Sequence, residues 1–176
     1  MRARMTALCL ALLAACGGSE AARPASGAGF HAAAPETRVD DIDRDTARIR
    51  AATAAFRSLD AAVAAGYARS VRSCIAHPPH GAMGFHHGNA GLMDDRIELE
   101  RPEILVYSRA STGEYVLNGV EYIVPYTSLS RDATPPRVMG QALKRSDQLQ
   151  LWYLHVWIYR ENPNGLFADW NPRVEC

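Results

Sequence analysis

Three polar side chains, His86, Glu121 and His155, lie in segments that are otherwise apolar or rich in glycine. Imidazole nitrogens bind Zn, Cu, Fe and Ni, and a carboxylate adds negative charge to a ligand set. Two or three protein ligands with open coordination positions suit a metal that binds or activates another molecule. We therefore predict a mononuclear site in which these three residues hold a divalent transition metal (Zn, Cu, Fe or Ni). Their long and irregular spacing matches no compact metal-binding motif.

Each of these residues also has a purely structural interpretation. His155 can be a hydrogen-bonded core histidine, and Glu121 can face solvent, because burying an unpaired carboxylate is costly. His86 is followed by a second histidine in a glycine-rich segment, and both can belong to an exposed loop. Glu103, at the start of a predicted strand, is a weaker candidate of the same kind. A looser copper site is a further alternative, with ligands drawn from Met83, Met93, His77, His80 and His87.

The segment Gln150–Arg160 predicts a strand, in which alternate side chains share a face. One face is mostly aliphatic and suits a core: Trp152, Leu154, Val156 and Ile158. The other face carries His155 among aromatic rings with polar tips, namely Tyr153, Trp157 and Tyr159. This second face raises another hypothesis, a non-catalytic envelope lipoprotein that binds a ligand or a protein partner through its aromatic side chains.

The remaining pattern predicts an α+β fold, with a long N-terminal helix packed on an antiparallel sheet of about four strands. The helix is expected over Asp40–Arg69, where large apolar residues recur on one face. The segment Cys74–Leu92 is rich in proline and glycine, which predicts an irregular conformation. Arg131–Lys144 is expected to be a loop.

Two shorter segments complete the predicted sheet. Glu103–Arg109 is expected to form a strand that ends in a turn at Ser111-Thr112-Gly113. Glu114–Leu117 and Val120–Tyr126 are expected to form a hairpin. Its turn would be Asn118-Gly119, because this pair readily adopts the left-handed conformations of a type I′ turn.

The first 15 residues have the features of a secretory signal: two arginines, a short apolar run and small residues at its end. Leu13-Ala14-Ala15-Cys16 looks like the lipobox of bacterial lipoproteins, which implies that Cys16 is acylated. Residues 16–38 are mainly Gly, Ser, Ala and Pro, which predicts a flexible tether. Residues 39–176 then form a single globular domain. We expect an exported lipoprotein that a lipid anchors to the membrane, at the outer membrane facing the periplasm.

The cysteines support a bridge within the domain. Cys9 would leave with the signal and Cys16 would carry lipid, so Cys74 and Cys176 remain. Disulfides are favoured in oxidising compartments outside the cytoplasm. We predict a bond between Cys74 and Cys176, and the alternative is two free thiols.

Composition and motifs exclude several function classes. The 176 residues have a formal net charge of zero and no cluster of Lys or Arg, so a nucleic-acid partner is not indicated. There is no glycine-rich phosphate loop, no Gly-x-Ser-x-Gly element and no Cys-x-x-Cys pair. The reaction, the substrate and the oligomeric state are left open by the sequence.

Five segments resemble those of a group of exported bacterial proteins that has no known activity. They are Gly84-Phe85-His86, Arg101–Tyr107, Gly119–Tyr122, Leu154–Trp157 and Asn162–Pro172. The resemblance runs from the predicted helix to Cys176 and includes a cysteine at positions 74 and 176. It implies an exported domain but no catalytic role for any residue.

Overall fold

The computed structural model of the chain describes residues 39–69 and 73–176. The predicted signal, the predicted lipid site at Cys16 and the predicted tether lie outside these residues. The α+β class is confirmed, because helices at the beginning of the described chain are followed by a mostly antiparallel sheet. Within the described residues, no helix has both the length and the apolar character that a membrane span requires.

The predicted long helix is wrong, because the segment breaks into three short pieces. They are helix α1 (Val39–Thr53), a 3-10 turn (Ala54–Arg57) and helix α2 (Leu59–Ala64). The break has a local cause: the Ser58 side chain accepts a hydrogen bond from the backbone N–H of Ala61 and so caps a new helix. The chain after α2 then enters a short strand, β1 (Ala68–Arg69), instead of continuing as helix.

The sheet contains more strands than predicted. Six strands follow the order β1-β3-β4-β5-β9-β8, and β2 pairs with β3 beside them. A separate two-stranded ribbon, β6–β7, lies within the segment predicted to be a loop. The bounds are β2 (Ile75–His77), β3 (Gly81–Gly88), β4 (Ile104–Arg109), β5 (Tyr115–Pro125), β6 (Arg137–Val138), β7 (Gln141–Ala142), β8 (Lys144–Ser146) and β9 (Leu151–Val156).

The irregular conformation predicted for Cys74–Leu92 is wrong over most of its length, because this segment contains β2 and β3. The glycines of β3 serve close packing instead of breaking the strand. Gly84 has φ +103°, and a Cβ there would lie 2.3 Å from the backbone oxygen of Tyr107. Only glycine combines that conformation with that separation.

The predicted hairpin turn at Asn118-Gly119 is also wrong. These residues lie inside the continuous strand β5, where the pairing with β4 shifts between Val106 and Tyr107. Asn118 is buried, and its carbonyl accepts hydrogen bonds from the backbone N–H groups of Tyr159 and Arg160. Tertiary contacts therefore override the local turn preference. The chain reverses earlier, at the predicted Ser111–Gly113 turn, where the Ala110 N–H bonds to the Glu114 oxygen.

The two faces of the sheet pack differently. The helices share one core with the side chains of one face, and this cluster includes Ile49, Leu105, Tyr107, Val120, Tyr122 and Leu154. The opposite face carries a smaller apolar cluster of Ala82, Ile104, Val106, Ile123, Trp157 and Val174. The predicted alternation of β9 is confirmed, since Trp152, Leu154 and Val156 belong to the larger core.

The predicted disulfide is confirmed. Cys74 and Cys176 are bonded, with their Cα atoms 5.5 Å apart and 102 positions apart in the sequence. The bond closes a loop that contains β2 to β9. It ties the segment after β9 to the beginning of β2.

Candidate metal centre

His86, Glu121 and His155 come from three strands of the sheet. They lie in β3, β5 and β9 respectively, and Glu121 stands directly opposite His155 in the β5–β9 ladder. Strand β4 separates β3 from β5, so the His86 side chain approaches Glu121 across that strand. All three project from the face of the smaller apolar cluster, away from the helices.

The three side chains converge to within metal-binding distance of one another. His86 Nε2 and His155 Nε2 are 3.3 Å apart. Glu121 Oε2 is 3.5 Å from His86 Nε2, and Glu121 Oε1 is 3.6 Å from His155 Nε2. Ligand atoms that are each 2.0–2.1 Å from one tetrahedral ion lie about 3.3–3.4 Å apart. The cluster therefore has nearly the dimensions of a bound site.

The cluster is shielded from water. The exposed fractions of the His86, Glu121 and His155 side chains are 6%, 8% and 3%. The Trp157 ring stacks on the His155 ring, with centroids 6.2 Å apart and planes inclined by 12°. In such a site, charge interactions are stronger than in water, so a carboxylate here needs a positive partner.

Electrostatics favour imidazole nitrogens that are ready to bind a metal. Burial lowers the pKa of His86, and this effect outweighs the neighbouring Glu121 carboxylate, which acts to raise it. The neutral ring therefore predominates, and a neutral imidazole offers one nitrogen lone pair.

A glycine at a crowded position brings two of the ligand strands together. A Cβ on Gly119 would lie 2.5 Å from the backbone oxygen of Val156, far inside normal contact distance. Glycine therefore allows the two strands to approach closely beside the site. The contact lies at Gly119, two residues before Glu121 in β5, and at Val156, one residue after His155 in β9. The Asn118-Gly119 pair serves this approach instead of a turn.

Asp169 is a residue that sequence reasoning did not place at the site. Its Oδ1 atom lies 3.9 Å from Nδ1 of His155, on the side of the ring away from the ligand cluster. It also accepts a hydrogen bond from Lys144 Nζ at 2.5 Å. No local pattern marks Asp169, because it lies in an irregular segment after β9.

Glu103 is buried but does not join the cluster of ligand atoms. Its Oε2 accepts a hydrogen bond from the Ile123 backbone N–H at 3.1 Å. Burial raises the pKa of Glu103 to about 8. The hydrogen bonds from the backbone of Glu103 itself and of Ile123 act to lower it but are outweighed. The carboxyl group therefore accepts a hydrogen bond from a β5 N–H that lies beyond the first residue of β4.

The looser copper site is not assembled in the described part of the chain. His77 at the end of β2 and His80 in the following turn are exposed, with ring centroids 5.1 Å apart. His87 packs on the helix side, 5.1 Å from the Tyr107 ring. Among the described His, Cys, Asp and Glu side chains, a group of three or more with metal-ligand spacing forms at one place, His86, Glu121 and His155.

The three aromatic residues of the alternative binding hypothesis do not share an exposed surface. Trp157 is 4% exposed, and its Nε1 donates a hydrogen bond to the Ala168 carbonyl. Tyr159 lies past the end of β9, and its hydroxyl donates to the Arg50 carbonyl of α1. Of these three residues, only Tyr153 lies on the same face of the sheet as the candidate site and is also partly exposed.

Comparisons with known protein families, with curated proteins and with solved structures find no match to this chain. The resemblance to exported bacterial proteins therefore stays a prediction, and the functional argument depends on the geometry of the site.

Proposed function

We propose that this domain binds one divalent transition-metal ion through His86 Nε2, Glu121 and His155 Nε2. The observation that supports it is the convergence of three side chains from three different strands: the two Nε2 atoms are 3.3 Å apart, and each lies 3.5–3.6 Å from one of the two Glu121 carboxylate oxygens. Hydrogen bonding alone is a poorer account of the cluster. Among the three contacts that join these side chains to one another, the 3.3 Å contact between the two histidines satisfies hydrogen-bond geometry, and both contacts to Glu121 are longer than normal hydrogen bonds.

Zn²⁺ is a suitable test ion, because histidine and glutamate side chains together form open, catalytic-type zinc sites. Cu, Fe and Ni accept the same imidazole and carboxylate ligands, so metal analysis decides among them.

Metal content and affinity test this proposal. The domain is purified without a histidine tag, its metals are quantified, and the metal-free protein is titrated with Zn²⁺. We expect one ion per chain in the wild type. We expect loss of that ion in His86→Ala, Glu121→Gln and His155→Ala.

His80→Ala is the matched control, because His80 is an exposed histidine outside the cluster. It should keep wild-type stoichiometry and affinity. Wild-type protein without a metal-binding equivalent, or the same affinity in His155→Ala, would overturn the proposal.

We also propose that the domain acts outside the cytoplasm and is attached to a membrane by a lipid on Cys16. The Cys74–Cys176 disulfide supports the first part, because such bonds persist in oxidising compartments. Metabolic labelling with a radioactive fatty acid tests the second part. The label should enter the wild type and be absent from Cys16→Ser, and labelling of that variant would contradict lipid attachment at this residue.

A further inference from the structure

Asp169 stands behind His155, on the opposite side of the ring from Glu121. Its Oδ1 is 3.9 Å from His155 Nδ1, while His155 Nε2 is 3.6 Å from the Glu121 carboxylate. The two nitrogens of one ring therefore face two different carboxylates. The distance from Nδ1 to Asp169 exceeds a direct hydrogen bond by less than 1 Å. A small side-chain rotation closes such a gap.

Asp169 is held in place independently of His155. Its Oδ2 accepts a hydrogen bond from Tyr153 OH at 3.3 Å, and its Oδ1 accepts one from Lys144 Nζ at 2.5 Å. Lys144 Nζ also donates to the Phe167 carbonyl, and Trp157 Nε1 donates to the Ala168 carbonyl. The backbone before Asp169 is thus attached to β8 and to the end of β9.

Asp169 is placed as an ion-pair partner: the Lys144 ammonium group lies 2.5 Å from its Oδ1 atom, a distance typical of a charge-assisted hydrogen bond to a carboxylate. An ionised carboxylate accepts hydrogen bonds only, so a ring nitrogen that faces it is favoured in its N–H form.

We propose that Asp169 is a positioning residue for the metal centre: it holds His155 in the tautomer with the proton on Nδ1 and the lone pair on Nε2. This inference rests on the proposed function. Metal-binding histidines commonly donate their second ring N–H to a carboxylate, which fixes the ring and makes the binding nitrogen more basic. Loss of such a partner typically weakens metal affinity 10–100-fold.

The same contacts also fit a second role, in which Asp169 serves only as the ion-pair partner of Lys144. Two variants separate these roles. Asp169→Asn keeps the size of the side chain but removes its charge, whereas Lys144→Met removes the ion pair and leaves the carboxylate. If Asp169 positions His155, Asp169→Asn should impair the metal centre more than Lys144→Met, because the Tyr153 hydroxyl still binds the carboxylate in the second variant.

A matched control lies just after the end of β8. Asp147 is also bound by a tyrosine and a cation, with Tyr126 OH and Arg131 both at 3.1 Å. Asp147→Asn therefore removes a comparable charge without touching the site.

The experiment has two readouts. Nitrogen-15 NMR of the metal-free protein reports which ring nitrogen of His155 carries the proton. Co²⁺ titration, followed by visible absorption, reports affinity and the symmetry of the site. We expect the Nδ1–H tautomer in the wild type and in Asp147→Asn, and as the main form in Lys144→Met. In Asp169→Asn we expect a mixture of tautomers, a Co²⁺ affinity 10–100-fold lower and an altered absorption spectrum.

Each contrary result has a distinct meaning. A wild-type tautomer, affinity and spectrum in Asp169→Asn would overturn this inference and leave the proposed function intact. Equal losses in Lys144→Met and Asp169→Asn would assign Asp169 to the ion pair alone and overturn it as well. A wild-type protein that binds no Co²⁺ would overturn the proposed function together with the inference.

Discussion

Glu121 and His155 stand directly opposite each other in neighbouring antiparallel strands, with Oε1 and Nε2 3.6 Å apart. One pairing register therefore sets two of the three candidate ligands. A shift by one residue would turn either side chain to the opposite face of the sheet. The strand pairing that forms the sheet therefore also brings these two residues of the candidate site together.

Gly119 lies where this pairing is tightest, so replacing it should damage both the fold and the site. Gly119→Ala places a Cβ 2.5 Å from the Val156 carbonyl oxygen, and β5 and β9 must separate to relieve the clash. We expect a loss of about 1–3 kcal/mol in the free energy of unfolding, the range typical of overpacked positions. We also expect weaker Zn²⁺ binding. Urea unfolding and metal titration measure the two effects.

The control for that substitution is Gly91→Ala. A Cβ on Gly91 would meet only the side-chain oxygen of Asn89, at 3.3 Å, and Gly91 lies in a short 3-10 turn (Ala90–Leu92) outside the strands. This variant should bind Zn²⁺ like the wild type. Equal behaviour of both variants would contradict a role for Gly119 in strand approach.

Metal binding should stabilise the folded domain, because the ligands converge only in the native state. At free Zn²⁺ 100-fold above Kd, the expected gain is about 2.7 kcal/mol. Thermal unfolding with and without Zn²⁺ measures it as a rise in Tm. The rise should persist in His80→Ala and disappear in His155→Ala. A rise of equal size in His155→Ala would indicate that Zn²⁺ binds elsewhere.

The Cys74–Cys176 bond should contribute substantially to stability. The residues are 102 positions apart, and closing a loop of that size removes about 4–5 kcal/mol of unfolded-chain entropy. The double variant Cys74→Ser/Cys176→Ser should therefore unfold at a much lower urea concentration. Reduction should shift the wild type to the same midpoint and leave the variant unaffected. A variant as stable as the oxidised wild type would contradict this contribution.

Glu103 should make stability depend on pH. Its pKa rises from 4.5 to about 8 on folding, so the folded state holds the proton more tightly. The stability that Glu103 contributes is complete below pH 4.5 and falls as pH rises toward 8. Between pH 5 and 7 the fall is at most about 1.4 kcal/mol per pH unit.

Glu103→Gln tests this dependence, because glutamine can still accept the Ile123 N–H hydrogen bond but cannot lose a proton. In urea unfolding of the metal-free protein, the variant should gain stability relative to the wild type as pH rises from 5 to 7. Glu114→Gln, at an exposed position, should follow the wild type at every pH. Parallel curves for wild type and Glu103→Gln would show that this carboxyl group does not titrate in that range.

Much of the site could be predicted from the sequence, because burial of polar groups leaves a recognisable pattern. His155 and Glu121 lie in apolar strands, where a polar side chain requires a partner. The alternation along β9 placed His155 on the face opposite the aliphatic residues, as the structure confirms. The disulfide could be predicted by counting the cysteines that remain once the predicted signal and the predicted lipid site are set aside.

The errors about the glycine-containing segments have a common physical origin. The glycines of β3 and the Asn118-Gly119 pair were interpreted by their local preferences, which favour turns. In the folded chain, Gly84 and Gly119 are needed because the carbonyls of Tyr107 and Val156 approach so closely. Such contacts join residues distant in sequence, so no local pattern reveals them. The same is true of Asp169, whose role depends on a neighbour in β9.

The disulfide also affects the candidate metal ligands when the domain is partly or fully unfolded. Cys74 and Cys176 bracket His86, Glu121 and His155 in the chain, so all three belong to one covalent ring. When the domain opens or unfolds, that ring still confines the three donors to a small volume and raises their effective concentration for one another. An ion released by a transient opening would meet the same three side chains again, and recapture would not have to wait for the whole fold to reform.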